Sequence, residues 1–123
     1  MLAIIDRPSL LRASAIIDML ELGWIPGDAE LTGARQLTEW VILPSGGSLP
    51  YRIMGIVRDR TKNPVFIATA IAIGPDLRWA CIWDEWIVLG NRAAESAKIE
   101  AEEVRRMGAI WLLEELKRVS SQV

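Results

Sequence analysis

The most regular pattern in the chain runs from Pro64 to Gly74, PVFIATAIAIG, which carries no charge. Val65, Ile67, Thr69, Ile71 and Ile73 fall on one side of a period of two, and Phe66, Ala68, Ala70 and Ala72 on the other. Such spacing, rich in β-branched residues, predicts a strand, and apolar positions on both sides predict one covered on two faces. Tyr51 to Asp59 alternates in the same way, and the polar run Asp59 to Asn63 joins the two as a hairpin turn. Residues 37 to 43 (LTEWVIL), Leu77 to Trp83 and Trp86 to Leu89 read as further strands, punctuated by Gly74-Pro75-Asp76 and Asp84-Glu85. Four or five consecutive strands joined by short turns predict an antiparallel meander.

The period changes to that of a helix at both ends of the chain. Pro8 suits a first helical turn, Leu10, Ala13, Ile17 and Leu20 form one stripe, and Gly23 is a left-handed stop, so the pattern predicts a helix over 8–22. Trp24 to Arg35, with Pro26, Gly27 and Gly33, reads as a loop with a short turn from Asp28. A long helix is predicted from Asn91 to about Ser120, with Ala97, Ala101, Val104, Gly108, Trp111 and Leu112 on one stripe. After Met107 its apolar surface widens to Ile110, Leu113 and Leu116. Gly108 inside a helix costs about 1 kcal/mol relative to Ala, which predicts close backbone approach to a sheet or second helix. Residues 1 to 5 read as an edge strand or a disordered start.

The fold class is therefore α+β: one domain over 1–123, an antiparallel meander of four to five strands flanked by an N-terminal helix and a long C-terminal helix. Two helices cover one face of such a sheet. The apolar second face implies another layer, and a homodimer is the simplest source of it.

Composition narrows the chemistry. Half of the 123 residues are apolar (51%) and 24% are charged, which suits a globular domain with its own core. The formal net charge of −2 and a pI near 5.2 argue against a general nucleic-acid or anionic-membrane binder. The longest apolar run falls far short of the roughly 20 residues that span a bilayer, and the start, MLAIIDRPSLLR, lacks the pattern of a signal peptide. The expectation is a soluble protein. With no histidine and one cysteine, Cys81, the chain offers no intrachain disulfide, no His-dependent triad and no zinc site. A single cysteine is compatible with a reducing cytoplasm, and no cofactor is implied.

Six tryptophans accompany one Phe and one Tyr. Trp79, Trp83, Asp84, Glu85 and Trp86 could form a ligand cage or an acid–base pair. Neighbouring strand residues point to opposite faces, so Asp84 and Glu85 do not converge, and packing plus a polar turn is the favoured reading. Trp79, Cys81 and Trp83 share a face that looks like core. Cys81 lies between Ala80 and Ile82 with no adjacent cation, so a buried, inert thiol is favoured over a nucleophile. Arg58, Arg60 and Lys62 at the hairpin tip could touch phosphate, but a solvated tip has the same composition. PSGGSLP (44–50) lacks the ending of a phosphate loop and reads as a linker. Met107, Ile110, Trp111 and Leu113 make a candidate contact surface on the last helix.

Ala34-Arg35-Gln36-Leu37-Thr38-Glu39-Trp40, Gly55-Ile56-Val57, Thr69-Ala70 and the run from Trp79 to Gly90 together carry a resemblance. They are similar to motifs of short alphaproteobacterial proteins of unknown function, the DUF6634 family. These show Ala-x-x-Leu-x-x-Trp, a Gly-x-Val hairpin, a Thr-Ser strand and Trp-Ala-Arg-Thr-x-x-Arg-Trp-Tyr-x-Leu-Gly. The resemblance covers about half the chain and implies a bacterial, plasmid or phage-linked setting but no activity. Cys81, Glu85 and Ile87 stand where the motif has two arginines and a tyrosine, so a polar site built from those residues would be lost here.

The expected function is a non-catalytic, protein-binding accessory or regulatory protein, a homodimer, of the kind that mobile elements or phages use against host or defence machinery (anti-CRISPR-like inhibitors among them). A small-molecule binding module built on Trp79–Trp86 is the alternative. A nucleic-acid regulator acting through the hairpin is a third.

Overall fold

A computed structural model of the protein describes residues 7–43, 50–57, 64–82, 85–93 and 100–120. The elements are α1 (Arg7–Glu21), α2 (Asp28–Leu31), β1 (Arg35–Leu43), β2 (Tyr51–Val57), β3 (Val65–Ile73), β4 (Trp79–Ile82), β5 (Glu85–Leu89) and α3 (Ala101–Ser120). The linker at 44–49 and the hairpin tip with Arg58, Arg60 and Lys62 lie outside the described residues, as do Trp83 and Asp84.

Each successive pair of strands is antiparallel, as the short turns require, but the sheet does not stay open. It closes into a five-stranded barrel in the order β1-β2-β3-β4-β5. Four reversals leave β5 running the same way as β1, so the closing pair is parallel, with Arg35, Gln36 and Leu37 opposite Ile87, Val88 and Leu89. This corrects the open meander. The second layer predicted for β3 comes from the sheet itself, whose inner face packs against its own far wall.

A barrel this small is filled by side chains. Its interior holds Leu37, Trp40, Ile42, Ile53, Ala70, Ile73, Ala80, Ile82, Ile87 and Leu89, with Val104 of α3 packed among them. Trp40, 1% exposed, is the largest of these, and it is placed there by a bulge. Thr38 pairs with Ile56 but Val41 with Met54, so β1 carries one extra residue between them. Glu39 takes a left-handed conformation there (φ 49°), which brings Leu37 and Trp40, three residues apart, to the same side. Gly55 faces them. A Cβ on it would lie 2.7 Å from Leu37 Cγ and 3.0 Å from Trp40 Cβ.

A second irregularity breaks the alternation expected of β3. Ala70 pairs with Ile82 and Ala72 with Cys81, so two steps on β3 answer one on β4. Ala70 and Ile73 therefore belong to the barrel interior, while Ile71 and Ala72 both face the helices. The single face expected for Ile71 and Ile73 is thus divided.

Leu10, Ala13, Ile17 and Leu20 of α1 are all buried as the helical stripe predicts, and Gly23 (φ 95°) ends the turn. Burial of each large apolar side chain contributes about 1.5–3 kcal/mol. With Leu112 they cover Ile71, Ala72, Trp79 and Cys81 in an outer core. The long helix begins later than predicted. Arg92 forms a parallel bridge to Trp40, and Ala93 N–H donates to Trp40 O (3.0 Å), so Asn91–Ala93 extend the β1–β5 seam instead of coiling. Leu77, expected in a strand, lies in the turn before β4 with φ 61°.

Candidate functional site

The structure divides the tryptophan–carboxylate cluster by strand parity. Ile87 and Leu89 point into the barrel, so Glu85 lies on their side of β5 and Trp86 on the other. Glu85 accepts an ion pair from Arg35 Nε at 3.2 Å across the closing seam. The Arg35 guanidinium stands 5.3 Å from the centre of the Phe66 ring. Both partners of that pair are substantially exposed, at 51% and 40%, so the contact contributes little to stability. Glu85 is thus separated from Trp86, which follows it in sequence.

Trp79 and Trp86 do come together. Their rings meet edge to face at 5.6 Å and 79°, and Trp24 joins them from the loop after α1 at 5.9 Å from Trp86. Edge-to-face contact satisfies the ring quadrupoles, and such pairs contribute about 0.5–1.5 kcal/mol beyond burial. Trp24 is the member that sequence reasoning missed. A large aromatic directly after a helix-ending glycine was the available signal, since that glycine turns the chain back onto the helix.

Beside Trp24 and Trp79 opens a cleft of about 290 Å³. Leu20, Ile25, Ala72, Ile73, Pro75 and Ala101 supply its apolar wall, and Glu102 and Arg105, on the first turns of α3, its charged rim. The cleft lies where the end of α1, the β3–β4 turn and the start of α3 meet. None of its wall residues apart from Trp79 is legible as a site from local sequence. Cys81 is fully buried under the helices and cannot meet a substrate.

The candidate surface on α3 separates into two parts. Trp111 and Leu116 pack against the outer core, so α1 and the sheet absorb part of the extra apolar width. Met107 is half-buried. Ile110 (39% exposed) and Leu113 (55%) remain at the surface.

A second apolar surface lies on the outside of β1, β2 and β3. Thr38, Ile56 and Val65 form one cross-strand row, and Val41, Met54 and Ile67 the next. Val65 is 71% exposed and Ile67 51%, while the other four are half-buried. Neither row contains a charge. The rows end beside Arg52, which is paired with Leu43 on one side and Thr69 on the other.

Among the described residues no helix is long and apolar enough to cross a membrane. Comparison with protein families, with curated proteins and with solved structures finds no match to the chain.

Proposed function

We propose that the protein is a non-catalytic, protein-binding accessory or regulatory protein that acts as a homodimer, joined through the outer face of β1, β2 and β3. The observation that carries this reading is the pair of uncharged rows Thr38–Ile56–Val65 and Val41–Met54–Ile67, with Val65 and Ile67 more than half exposed. Contiguous apolar surface of this kind marks interaction sites in soluble proteins. Each strand of the barrel has a neighbour on both sides, although among the described pairings Val65–Thr69 of β3 is matched by β2 alone. Two uncharged rows, bordered by Arg52 and by Glu39 in the β1 bulge, can meet their own copy across a two-fold axis, and a net charge of −2 opposes that pairing only weakly.

The non-catalytic part rests on the residues themselves. The chain has no histidine and its one cysteine is fully buried. Sedimentation velocity of Ile67→Lys beside wild type tests the reading. Ile67 is half-exposed, so the fold tolerates the charge, and the variant sediments as a monomer where wild type does not. Identical sedimentation of the two proteins contradicts it.

A further inference from the structure

We infer that the cleft between α1, the β3–β4 turn and α3 is a binding site for a small apolar carboxylic acid, with Arg105 as the group that receives the carboxylate. At about 290 Å³ the cleft lies at the lower end of small-molecule sites, which run from about 300 to 1,000 Å³. Its wall is apolar and partly aromatic, from Leu20, Trp24, Ile25, Ile73, Pro75 and Trp79. Such a wall takes the body of a ligand, and a few polar groups at the rim fix its orientation.

The rim is where the choice of ligand is made. Arg105 is half-buried and joins none of the ion pairs among the described residues, although Arg106, Lys117 and Arg118 on the same helix each hold a glutamate one turn away. Glu102 also lines the cleft, one turn before Arg105, but is exposed and makes no ion pair with it. A half-buried guanidinium beside an apolar wall gains most from an anion that brings its own apolar body, because the carboxylate then meets two donors away from bulk water. The first turn of α3, at Ala101 and Glu102, adds the positive end of the helix dipole on the same side. A cationic ligand would meet the like charge of Arg105 in the same cleft, and a neutral one would leave Arg105 without a charged partner.

Octanoate and octanamide test this, because they share the apolar tail and differ in charge. Binding is read by calorimetry and by the change in tryptophan emission from Trp24 and Trp79. Octanoate is expected to bind about tenfold more tightly than octanamide, the factor for one charge-assisted contact. Arg105→Gln should erase that difference without loss of the helical circular dichroism, and Arg105→Lys should keep part of it. Ile25→Glu, at a wall position 63% exposed and so tolerant of charge, should weaken octanoate more than octanamide. Absence of binding by either compound overturns the proposal, as does equal affinity of wild type for both or an unchanged preference in Arg105→Gln.

Discussion

Gly108 of α3 lies directly on the backbone of Ile71 in β3. A Cβ at position 108 would lie 2.6 Å from the Ile71 Cα and press into its carbonyl oxygen. The helix-interior glycine anticipated from the sequence is therefore a point of close approach between helix and barrel. It coincides with the β3 bulge that turns Ile71 and Ala72 together toward the helices.

Gly108→Ala pits two effects against each other. Helix propensity favours alanine by about 1 kcal/mol, but overpacking against a backbone that cannot rotate away costs about 1–3 kcal/mol or more. The clash wins, and the variant loses about 2 kcal/mol in urea unfolding. Gly90→Ala, whose nearest obstacle is the Leu37 carbonyl oxygen at 3.4 Å, serves as the control and changes stability much less.

Glu39 adopts φ 49° in the β1 bulge, a conformation that costs a residue with a Cβ about 1 kcal/mol. Glu39→Gly is expected to leave stability unchanged or raise it by up to about 1 kcal/mol, because the released strain offsets the greater freedom of the unfolded chain. Glu39→Val lowers it, since a β-branched side chain tolerates positive φ least. The two urea midpoints should move apart, with glycine above valine.

Trp40 closes the barrel seam through its indole N–H, which donates to the Gly90 carbonyl at 3.0 Å. Trp40→Phe keeps most of the volume and removes that bond, for a loss of about 1 kcal/mol. Trp40→Ala also empties the barrel interior and loses about 3–5 kcal/mol. Unchanged stability of Trp40→Phe would show that the indole nitrogen contributes nothing to closure.

These positions show what the sequence makes legible. Both helices are readable because Leu10, Ala13, Ile17 and Leu20, and again Val104, Gly108 and Leu112, repeat at helical spacing. The strands are readable from alternation and turn residues. Closure is not, because an apolar inner face carries the same pattern whether it meets a second layer or its own far wall. The bulges carry no local signal either, since glutamate and not glycine occupies the left-handed position at 39. Arg92 reads as helical by composition, yet it is held extended by its bridge to Trp40, a contact 52 residues distant that no local window contains.

Cys81 lies at 0% exposure beneath α1 and α3. A thiol reagent should therefore modify it only as the protein unfolds, with the labelled fraction tracking the urea transition. Stoichiometric labelling in native buffer within the mixing time would mean that the helices do not cover the outer core as described.

The homodimer is tested most directly by the mass of the wild-type protein in solution. Light scattering at micromolar concentration is predicted to give twice the chain mass of 13.7 kDa. A mass of one chain at every concentration up to the limit of solubility would contradict the proposal and leave the outer face of β1, β2 and β3 without a partner of its own kind.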